Sequence, residues 1–555
     1  MLCALTVLIT ALPALKAPRL EADDYRYLHN IQQWQSGKMG TVEAMAVENR
    51  WDHLWFMGEE GVVRFFRPTV ILSYAFDWTL WGDRYEFGLT LTNVLIHLSC
   101  FILVLWLLLQ LFGRGPPAVA AALLFAGLAA HSECIWYIAG RTDSLAALGF
   151  LAAFALHVSG RRWWALLFFA FALLTKELAI AAPVVFAAYD FWVERRRPHW
   201  RLYIVYGAVT VGILILKNAA LGGEGSDFVA PYLVSPLSYD FPHHLWLQFR
   251  SYSGNLFAAE ATVPFADAQT VSMVHHPAVL ICGWVLFGAI AWILRRDRRF
   301  WLFLLLGALT WLPTSFVYLS ERYLYLPSVA YVGILGLAVL NFPKVVNWLS
   351  LLLVAYAAFQ SAKLFERHAV IAQQPGSVEE MLHQLGPVRP QIQNDVRLLL
   401  VNTPGLFVRA QFMQEILRVV LDHPGLEVGV LTMMPGQNGT EWRAGDPPPL
   451  MGAGVQVRQS ASRELVLSGR SGTIIQEPGL KAFSWVALDG GTYRTASFES
   501  EIRRGSSRGA SEMAFHSNEP LTGNAVLVWQ ADCSDLNMHP WLRRERATVQ
   551  RLRLE

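Results

Sequence analysis

Apolar runs follow one another closely along the first two thirds of the chain. A transmembrane helix needs about 20 consecutive apolar residues, and most of these runs approach or reach that length. After an apolar segment at 1–17, the runs lie at 87–112, 116–130, 135–158, 162–175, 178–193, 202–220, 276–294, 300–317, 323–341 and 345–361. They predict a polytopic helical membrane domain over residues 1–361, with about eleven spans.

The first apolar segment has two interpretations. Residues 14–17, Ala-Leu-Lys-Ala, resemble a signal-peptide cleavage site, but no basic region precedes the apolar stretch. We therefore favour an uncleaved first helix.

Residues 18–86 alternate aromatic and charged positions instead of forming a long apolar run. Examples are Trp51-Asp52-His53-Leu54-Trp55-Phe56 and Arg64-Phe65-Phe66-Arg67-Pro68. The apolar run at 69–81 is too short to cross a bilayer safely. Such alternation favours helices that lie in the membrane interface, with aromatic rings towards lipid and charges towards water. We predict an extracytoplasmic first loop over 18–86, in which residues 43–80 form one or two interfacial helices.

The last third of the chain is polar and has a different periodicity. Short apolar runs typical of strands lie at 396–401, 426–431 and 525–529. Residues 407–422 have helical spacing, with Phe412, Ile416 and Val419 on one face. These patterns predict that residues 362–555 form one soluble α/β or α+β domain.

Composition and charge narrow the class of protein. Hydrophobic residues make up 54% of the 555 positions and charged residues only 16%, whereas an ordinary soluble chain carries about 25% charged residues. This balance indicates an integral membrane protein. The net charge of +2 gives no support for nucleic-acid binding. The five cysteines match neither a disulfide framework nor a metal-binding spacing.

Arginine and lysine alternate between the loops. One set of loops holds clusters, and the opposite short loops hold only Lys176 and Arg322. The clusters are Arg114; Arg161 and Arg162; Arg195, Arg196, Arg197 and Arg201; Arg295, Arg296, Arg298 and Arg299; and Lys344. Because basic loops stay in the cytoplasm, we predict a cytoplasmic N-terminus in a bacterial inner membrane. The first loop and the soluble domain are then extracytoplasmic.

Charged residues recur on the predicted outer face. They are Asp23 and Asp24, His131 and Glu133, Arg141 and Asp143, Lys176 and Glu177, and Glu321 and Arg322. Each pair alone fits a solvated helix end or a side chain that snorkels to the interface. As a set they favour a polar site, because charges at a membrane mouth tend to line a pathway or a substrate site.

Several separated motifs resemble one family of membrane enzymes. In chain order they are Phe66-Arg67-Pro68-Thr69, Leu91-Thr92-Asn93-Val94-Leu95-Ile96-His97-Leu98, His131-Ser132-Glu133, Ala139-Gly140-Arg141-Thr142-Asp143, Leu174-Thr175-Lys176-Glu177 and Glu321-Arg322-Tyr323-Leu324-Tyr325-Leu326-Pro327-Ser328. Over roughly the first 340 residues, the chain resembles the membrane part of the transmembrane and tetratricopeptide-repeat O-mannosyltransferases, which belong to the GT-C class of membrane glycosyltransferases. The repeats themselves are replaced by a different soluble domain.

The resemblance implies transfer of a sugar from a polyprenyl-phosphate carrier to an extracytoplasmic acceptor, with inversion. Asp23 and Asp24 match the position of the family's catalytic aspartate, and we favour Asp23 as the base. A carboxylate is needed to take the proton of the acceptor hydroxyl, and cations are needed to stabilise the phosphate that leaves. Arg141, Lys176 and Arg322 are the candidates for the carrier phosphate.

His131 and Glu133 are candidates for binding the acceptor or the sugar, or for ligating a metal. A single His-x-Glu is weak evidence for a metal, so we expect neither a metal nor another cofactor. The expected partners are the polyprenyl-phosphate sugar, membrane lipid and an acceptor that is a protein, a lipid or a cell-envelope glycan.

The alternative function is a multispan transporter or lipid flippase. Such proteins also place charges at membrane depth, but they commonly show internal repeats or broken helices in matching halves. No internal repeat is visible in this sequence.

Overall fold

The computed structural model describes most of the membrane region and parts of the C-terminal third. The described residues are 2–21, 23–50, 62–197, 199–222, 233–262, 268–373, 397–401, 412–423, 425–431, 455–469, 475–476, 490–494, 498–506, 509–518, 520–521, 526–532 and 546–551. The chain divides into two compact units. The first comprises residues 1–20, 66–223 and 233–373, and the second comprises residues 21–65, 224–232 and 374–555.

The described part of the first unit is built from helices. They are α1 Leu2–Lys16, α4 Pro68–Trp81, α5 Tyr85–Phe112, α6 Pro116–Gly127, α7 Ser132–Trp136, α8 Arg141–Val158, α9 Arg162–Thr175, α10 Ala182–Ala188, α11 Trp200–Ala220, α12 Phe241–Ala258, α13 Ala268–Val274, α14 Pro277–Leu294, α15 Arg298–Trp311, α16 Ser328–Leu340 and α17 Val346–Gln373. A π-helical turn over Tyr189–Val193 follows α10, and a 3-10 turn over Glu321–Leu324 precedes α16.

Five helical segments among the described residues are long and apolar enough to cross a membrane. They are Pro68–Phe112, Ile138–Val158, Trp200–Ala220, Pro277–Leu294 and Val346–Gln373, and the bent pair Pro116–Gly127 with Ala129–Trp136 makes a sixth if it forms one span. The predicted helical membrane body is thereby confirmed. The count of about eleven stays a prediction, since Leu5–Lys16, Arg162–Thr175 and Ser328–Leu340 are shorter apolar helices.

Helices α4 and α5 form a hairpin. Asp77 of α4 accepts a hydrogen bond from the Thr92 hydroxyl of α5 at 2.7 Å, although the two residues are 15 positions apart. In one straight helix that separation is about 22 Å, so the chain must reverse at the turn Gly82–Arg84. With 14 residues, α4 is also too short to cross a bilayer by itself.

Small residues allow the helices of the first unit to pack closely. A Cβ at Gly127 of α6 would lie 1.8 Å from the Ser361 hydroxyl of α17, and one at Gly149 of α8 would lie 2.9 Å from the Ala172 side chain of α9. Close approach at small residues is a common way for helices to associate in membranes. Around these contacts lies an apolar core that includes Phe125, which is completely buried.

The second unit contains three sheets in its described residues. Its helices are α2 Asp23–Gln35, α3 Thr41–Ala44 and α18 Met413–Val420, and its strands are β1 Ala46–Arg50, β2 Val62–Phe66, β3 Arg397–Val401, β4 Glu427–Val430, β5 Val455–Ala461, β6 Glu464–Gly469, β7 Ile475–Gln476, β8 Gly491–Arg494, β9 Phe498–Ser506, β10 Gly509–Ser517, β11 Val526–Asp532 and β12 Arg546–Arg551.

The sheets of the second unit have different topologies. One four-stranded sheet has the order β12-β11-β3-β4, and β3 is parallel to both β11 and β4. Helix α18 connects β3 to β4, as in a βαβ unit. A six-stranded sheet has the order β5-β6-β10-β9-β8, with β7 also paired to β10, and β1 pairs with β2 separately. Strands β3, β4 and β11 and helix α18 lie in the stretches where the sequence predicts strands and a helix, although part of the predicted helix at 407–422 lies outside the described residues. The soluble C-terminal domain, its boundary and its extracytoplasmic location stay predictions.

The first loop differs from the sequence expectation. Residues 46–50 and 62–66 form the paired strands β1 and β2, so the prediction of helix across this stretch is wrong. Short runs that are interrupted by charged residues and contain Val and Phe fit a strand at least as well as an interfacial helix. Helix α4 lies within the stretch predicted to be helical, while its position in the membrane interface stays a prediction. The motif at 51–56 lies outside the described residues.

Candidate active site

Three residues from separate motifs form a charged cluster in the first unit. The Lys176 ammonium donates to Asp143 Oδ1 at 2.5 Å, and Arg322 Nε lies 3.9 Å from Asp143 Oδ2. Asp143 lies in the first turn of α8, Lys176 follows α9, and Arg322 lies in the 3-10 turn before α16. The side chains of Lys176 and Arg322 are only 14% and 13% exposed. The structure therefore brings together two of the predicted cations with a shared carboxylate.

Tyrosine rings surround these cations. The Lys176 ammonium lies 4.8 Å from the centre of the Tyr323 ring, and the Arg322 guanidinium lies 5.5 Å from the same ring. Tyr318 accepts a hydrogen bond from Arg322, and the Tyr137 ring lies 5.6 Å from this guanidinium. Aromatic faces attract cations more strongly where water is excluded, so the rings stabilise the two charges without neutralising them.

Glu133 holds the backbone that carries Arg322. Its Oε2 accepts hydrogen bonds from the Ser320 hydroxyl at 2.5 Å and from the Arg322 backbone N–H at 2.9 Å. Gly140 allows the chain after α7 to pack against Glu133, because a Cβ there would lie 2.3 Å from the Glu133 carbonyl oxygen. Glu133 therefore orients the cluster through the backbone, and its predicted contact with the acceptor or the sugar stays a prediction.

The protonation of Lys176 depends on its surroundings. Burial lowers the pKa of the Lys176 ammonium below its ordinary value of 10.5, and the positive charges of Arg322 and Arg67 act in the same direction. The Asp143 carboxylate opposes this shift. With Arg67, three cations influence a site that contains the carboxylates Asp143 and Glu133, so the cluster is suited to an anionic group.

Arg141 forms a buried ion pair inside the first unit. Its guanidinium is fully buried and pairs with Asp77 Oδ2 at 2.8 Å. It also donates to Asn93 Oδ1 at 2.8 Å, to the Leu89 carbonyl at 2.6 Å and to the Ser73 hydroxyl at 3.2 Å. These bonds join α8 to the α4–α5 hairpin. Arg141 therefore stabilises this contact between helices, and its predicted contact with the carrier phosphate stays a prediction.

His131 is part of a buried aromatic group. Its Nε2 lies 2.9 Å from the Ser328 hydroxyl, and its ring centre lies 4.5 Å from that of Tyr325 and 4.6 Å from that of Phe125. The side chain is completely buried. His131 therefore packs within this aromatic group, and its predicted contact with the acceptor or the sugar stays a prediction.

The two candidate base residues lie in the second unit, in the first turn of α2. Asp24 is completely buried, and its Oδ2 accepts a hydrogen bond from the Glu21 backbone N–H at 2.8 Å. Asp23 is half-buried. Asp23 is thus the more accessible of the two carboxylates, and the assignment of the base stays a prediction. The predicted convergence of these aspartates with the cluster of Lys176 and Arg322 stays a prediction.

A buried ion pair fixes α2 within the second unit. Arg26 Nη2 lies 2.7 Å from Glu415 Oε1 of α18, and the guanidinium lies 5.0 Å from the centre of the Phe412 ring. Arg26 is only 4% exposed. The C-terminal part of the chain therefore holds the helix that carries both candidate base residues.

No group of three or more His, Cys, Asp or Glu side chains that could hold a metal ion occurs among the described residues. The expectation that the protein uses no metal stays a prediction.

Sequence reasoning missed several contributors to the cluster. Asp143 was noted as an outward charge but not as the shared partner of Lys176 and Arg322. Helix α12 lies in a region to which we assigned no element, and its Tyr252 hydroxyl accepts from the Ser320 backbone N–H at 3.4 Å. The run of buried polar residues in α12, which includes Gln248 and Asn255, is the signal that could have indicated its role.

Comparison of the whole chain with known sequences gives partial matches. No protein-family model matches the chain. Protein O-mannosyl-transferase tmtc2 from Xenopus laevis is 30% identical over 172 residues, which is 28% of this chain and 20% of that protein. TMTC4 from Mus musculus is 31% identical over 156 residues, or 23% of this chain and 21% of that protein. The chain thus spans about one fifth of the length of these curated relatives.

Two solved structures match much of the chain, with low similarity scores. ArnT from Cupriavidus metallidurans bound to undecaprenyl phosphate has a TM-score of 0.44 and 17% identity, with 77% of this chain and 85% of that chain covered. An Archaeoglobus fulgidus oligosaccharyltransferase in the apo form has a TM-score of 0.42 and 12% identity, with 78% and 64% covered. Both scores are below 0.5, so neither establishes the fold. The sequence matches do confirm the predicted resemblance, because the chain is similar to the protein O-mannosyl-transferases named TMTC over 22–28% of its length.

Proposed function

We propose that the protein is a membrane glycosyltransferase of the GT-C class that moves a sugar from a polyprenyl-phosphate carrier to an extracytoplasmic acceptor. The observation that carries this proposal is the cluster of Lys176, Asp143 and Arg322, whose members come from three of the motifs that resemble the O-mannosyltransferases. The matching relatives are named protein O-mannosyl-transferases, which makes a mannosyl carrier the first donor to test.

The cluster suits a phosphate that gains negative charge as the sugar leaves. Arg322 Nε is buried and makes no hydrogen bond within the described part of the chain, although Asp143 lies 3.9 Å away. A buried donor without a hydrogen bond costs free energy unless a ligand satisfies it. Lys176 supplies a second charge, and Asp143 keeps both cations in place until the carrier binds. Cations that are already oriented in a site shielded from water stabilise the developing charge strongly.

Asp23 is the proposed general base. The acceptor hydroxyl has a pKa far above 7, so a carboxylate within hydrogen-bond reach must take its proton as the anomeric carbon is attacked. Attack from the face opposite the phosphate inverts the anomeric configuration. Asp23 rather than Asp24 is proposed for this role, since Asp23 is half-buried whereas Asp24 is completely buried.

We also propose the membrane arrangement predicted from the arginine and lysine clusters of the loops. About eleven spans place the arginine clusters in the cytoplasm, and Asp23, Lys176, Arg322 and the C-terminal domain on the outer side. The donor is then bound at the outer leaflet of a bacterial inner membrane, and the acceptor is a protein, a lipid or an envelope glycan.

Analysis of cell-envelope glycans and glycolipids after deletion of the protein tests this function. We expect one glycan class to lose a sugar, with restoration by the wild type and by Asp24→Glu but not by Asp23→Asn. Unchanged glycans, or full restoration by both Asp23→Asn and Asp24→Asn, would contradict glycosyl transfer. A flippase is distinguished by purified protein, because only a transferase releases polyprenyl phosphate from a carrier-linked sugar.

A further inference from the structure

A cavity of about 570 Å³ lies at the end of the first unit that carries the arginine clusters. It is formed between the π-helical turn after α10 and the start of α15. The lining contains Arg195, Arg196, Arg197, Arg298, Trp192 and Trp301. None of these residues belongs to the cluster around Asp143, so the proposed sugar transfer does not account for the cavity.

Arg196 fixes the shape of the loop beside the cavity. Its guanidinium donates to Asp190 Oδ1 through Nη2 at 2.6 Å and through Nε at 2.9 Å, and its backbone N–H donates to the Asp190 carbonyl at 3.0 Å. Asp190 is completely buried and also accepts from the Tyr203 hydroxyl at 3.1 Å. The charge of Arg196 is therefore largely used within the protein, and the loop that carries its neighbours is held firmly.

The other three guanidinium groups of the lining remain available. Arg195, Arg197 and Arg298 are exposed, and none of them forms an ion pair with a carboxylate in the described part of the chain. Three like charges around one cavity repel each other unless an anion lies between them. Arginine is also the side chain best suited to phosphate, because its planar fork can donate two parallel hydrogen bonds to two oxygens.

Exposed tryptophans mark the level of this cavity in the membrane. Trp163 at the start of α9, Trp200 at the start of α11 and Trp292 near the end of α14 are all exposed, and Trp301 in the cavity lining is exposed as well. Tryptophan is enriched where the hydrocarbon core meets the headgroups. Phosphate groups of lipids occur at this level, within reach of the arginines.

We propose that this cavity binds the phosphodiester headgroup of an anionic phospholipid. The three arginines contact the phosphate oxygens, and Trp192 and Trp301 pack against the glycerol and the first acyl carbons. A zwitterionic headgroup fits poorly, since its ammonium would lie among the same arginines. Basic pockets between transmembrane helices are known to bind anionic headgroups in this way.

Native mass spectrometry of the detergent-purified full-length protein tests the proposal. The protein is titrated with phosphatidylglycerol or with phosphatidylcholine, and the fraction with one bound lipid is measured. The pocket variant carries Arg195→Gln, Arg197→Gln and Arg298→Gln. A matched control carries Arg114→Gln, Arg161→Gln and Arg296→Gln, which remove the same charge from exposed positions among the arginine clusters but outside the cavity lining.

We expect the wild type to bind phosphatidylglycerol more tightly than phosphatidylcholine. The pocket variant should lose at least about tenfold in phosphatidylglycerol affinity, because each arginine near a headgroup contributes measurably to binding. The control should remain within about twofold. Equal losses in both variants would indicate diffuse attraction to a positive surface and would overturn the proposal, as would an unchanged pocket variant.

Inorganic phosphate distinguishes a lipid from a soluble anion. Inorganic phosphate and soluble glycerol phosphate are each titrated against bound phosphatidylglycerol. If both displace the lipid equally well, at concentrations similar to that of the lipid, the site is assigned to a free anion and the proposal for a lipid is overturned. Retention of the lipid in excess phosphate supports the headgroup, since the tryptophan contacts are available only to a lipid. Release of polyprenyl phosphate by the same variants reports separately on the proposed transfer reaction.

Discussion

Replacement of Lys176 by methionine tests the phosphate contact proposed for the charged cluster. Methionine keeps most of the volume of the lysine stem but removes the ammonium, which lies 2.5 Å from Asp143 and 4.8 Å from the centre of the Tyr323 ring. A hydrogen bond to a charged group contributes about 1.5–3 kcal/mol. Each 1.4 kcal/mol corresponds to about tenfold in affinity, so carrier binding should weaken by roughly ten- to 150-fold.

The turnover of Lys176→Met should fall together with carrier binding. A phosphate contact exists both in the bound carrier and during transfer, so its removal weakens both states. The protein should still fold, because Arg322 remains 3.9 Å from Asp143 and keeps the buried carboxylate from being isolated. The loss of stability should therefore be smaller than the about 3–5 kcal/mol expected when a buried pair loses its only partner.

Two variants control for the loss of a buried lysine. Lys217→Met removes another buried ammonium, which donates to Glu177 at 2.5 Å and is not among the cations that contact Asp143. It should leave carrier affinity within about twofold. Lys176→Arg should retain most binding because it keeps the charge. Titration of the purified variants with polyprenyl phosphate measures the affinity, and release of this product from a sugar-linked carrier measures turnover. Unchanged affinity in Lys176→Met would refute the phosphate assignment.

Three further predictions concern the surroundings of the cluster. Gly140→Ala should lower both thermal stability and turnover, because the new Cβ would lie 2.3 Å from the Glu133 carbonyl oxygen. The control is Gly207→Ala, whose new Cβ has no atom within 4 Å, and equal melting temperatures of the two variants would contradict the close packing at Gly140. Arg141→Gln should lower the free energy of unfolding by about 3–5 kcal/mol, because it leaves the Asp77 carboxylate buried without its cation. A weaker carrier affinity with an unchanged melting temperature would instead indicate that Arg141 contacts the ligand. Turnover should begin to fall at a pH below 10.5, since burial lowers the pKa of Lys176 and the ammonium loses its proton as the pH rises through that lowered value. Lys176→Arg should move this alkaline loss of turnover to higher pH. An unmoved pH profile would assign the loss to another group.

The helical body could be predicted from the apolar runs because length and hydropathy are local properties of the sequence. The expectation of helix at 46–50 and 62–66 was wrong because the residues there are compatible with either a strand or a helix. The strands β1, with sequence Ala-Val-Glu-Asn-Arg, and β2, with sequence Val-Val-Arg-Phe-Phe, are short runs that mix apolar and polar residues without a regular period. Such short runs fit either a strand or part of an aromatic-rich interfacial helix. Pairing between the two strands decides the outcome, and the sequence does not show which distant segment will supply the partner.

The candidate site could be predicted only in part for the same reason. Lys176 and Arg322 lie in loops on one predicted side, so their proximity follows from the alternation of spans. The pairing of both cations with Asp143 depends on the direction in which its side chain leaves α8. The side chain of Arg141, two positions earlier, leaves the same helix in another direction and meets different partners. The partner of Arg141 is Asp77, which lies inside an apolar run that gave no indication of an ion pair.

The most direct measurement is release of polyprenyl phosphate by the purified full-length protein and by its Asp23→Asn variant. The donor is a polyprenyl-phosphate sugar, beginning with mannose, the acceptor is a membrane extract from the deletion strain, and product is quantified by mass spectrometry. A positioned base contributes about 10²–10⁴-fold, so Asp23→Asn should lose at least this factor in turnover while it binds the carrier as tightly as the wild type. Full turnover in Asp23→Asn together with none in Asp24→Asn would assign the base to Asp24. Full turnover in both variants would contradict an aspartate-dependent glycosyl transfer.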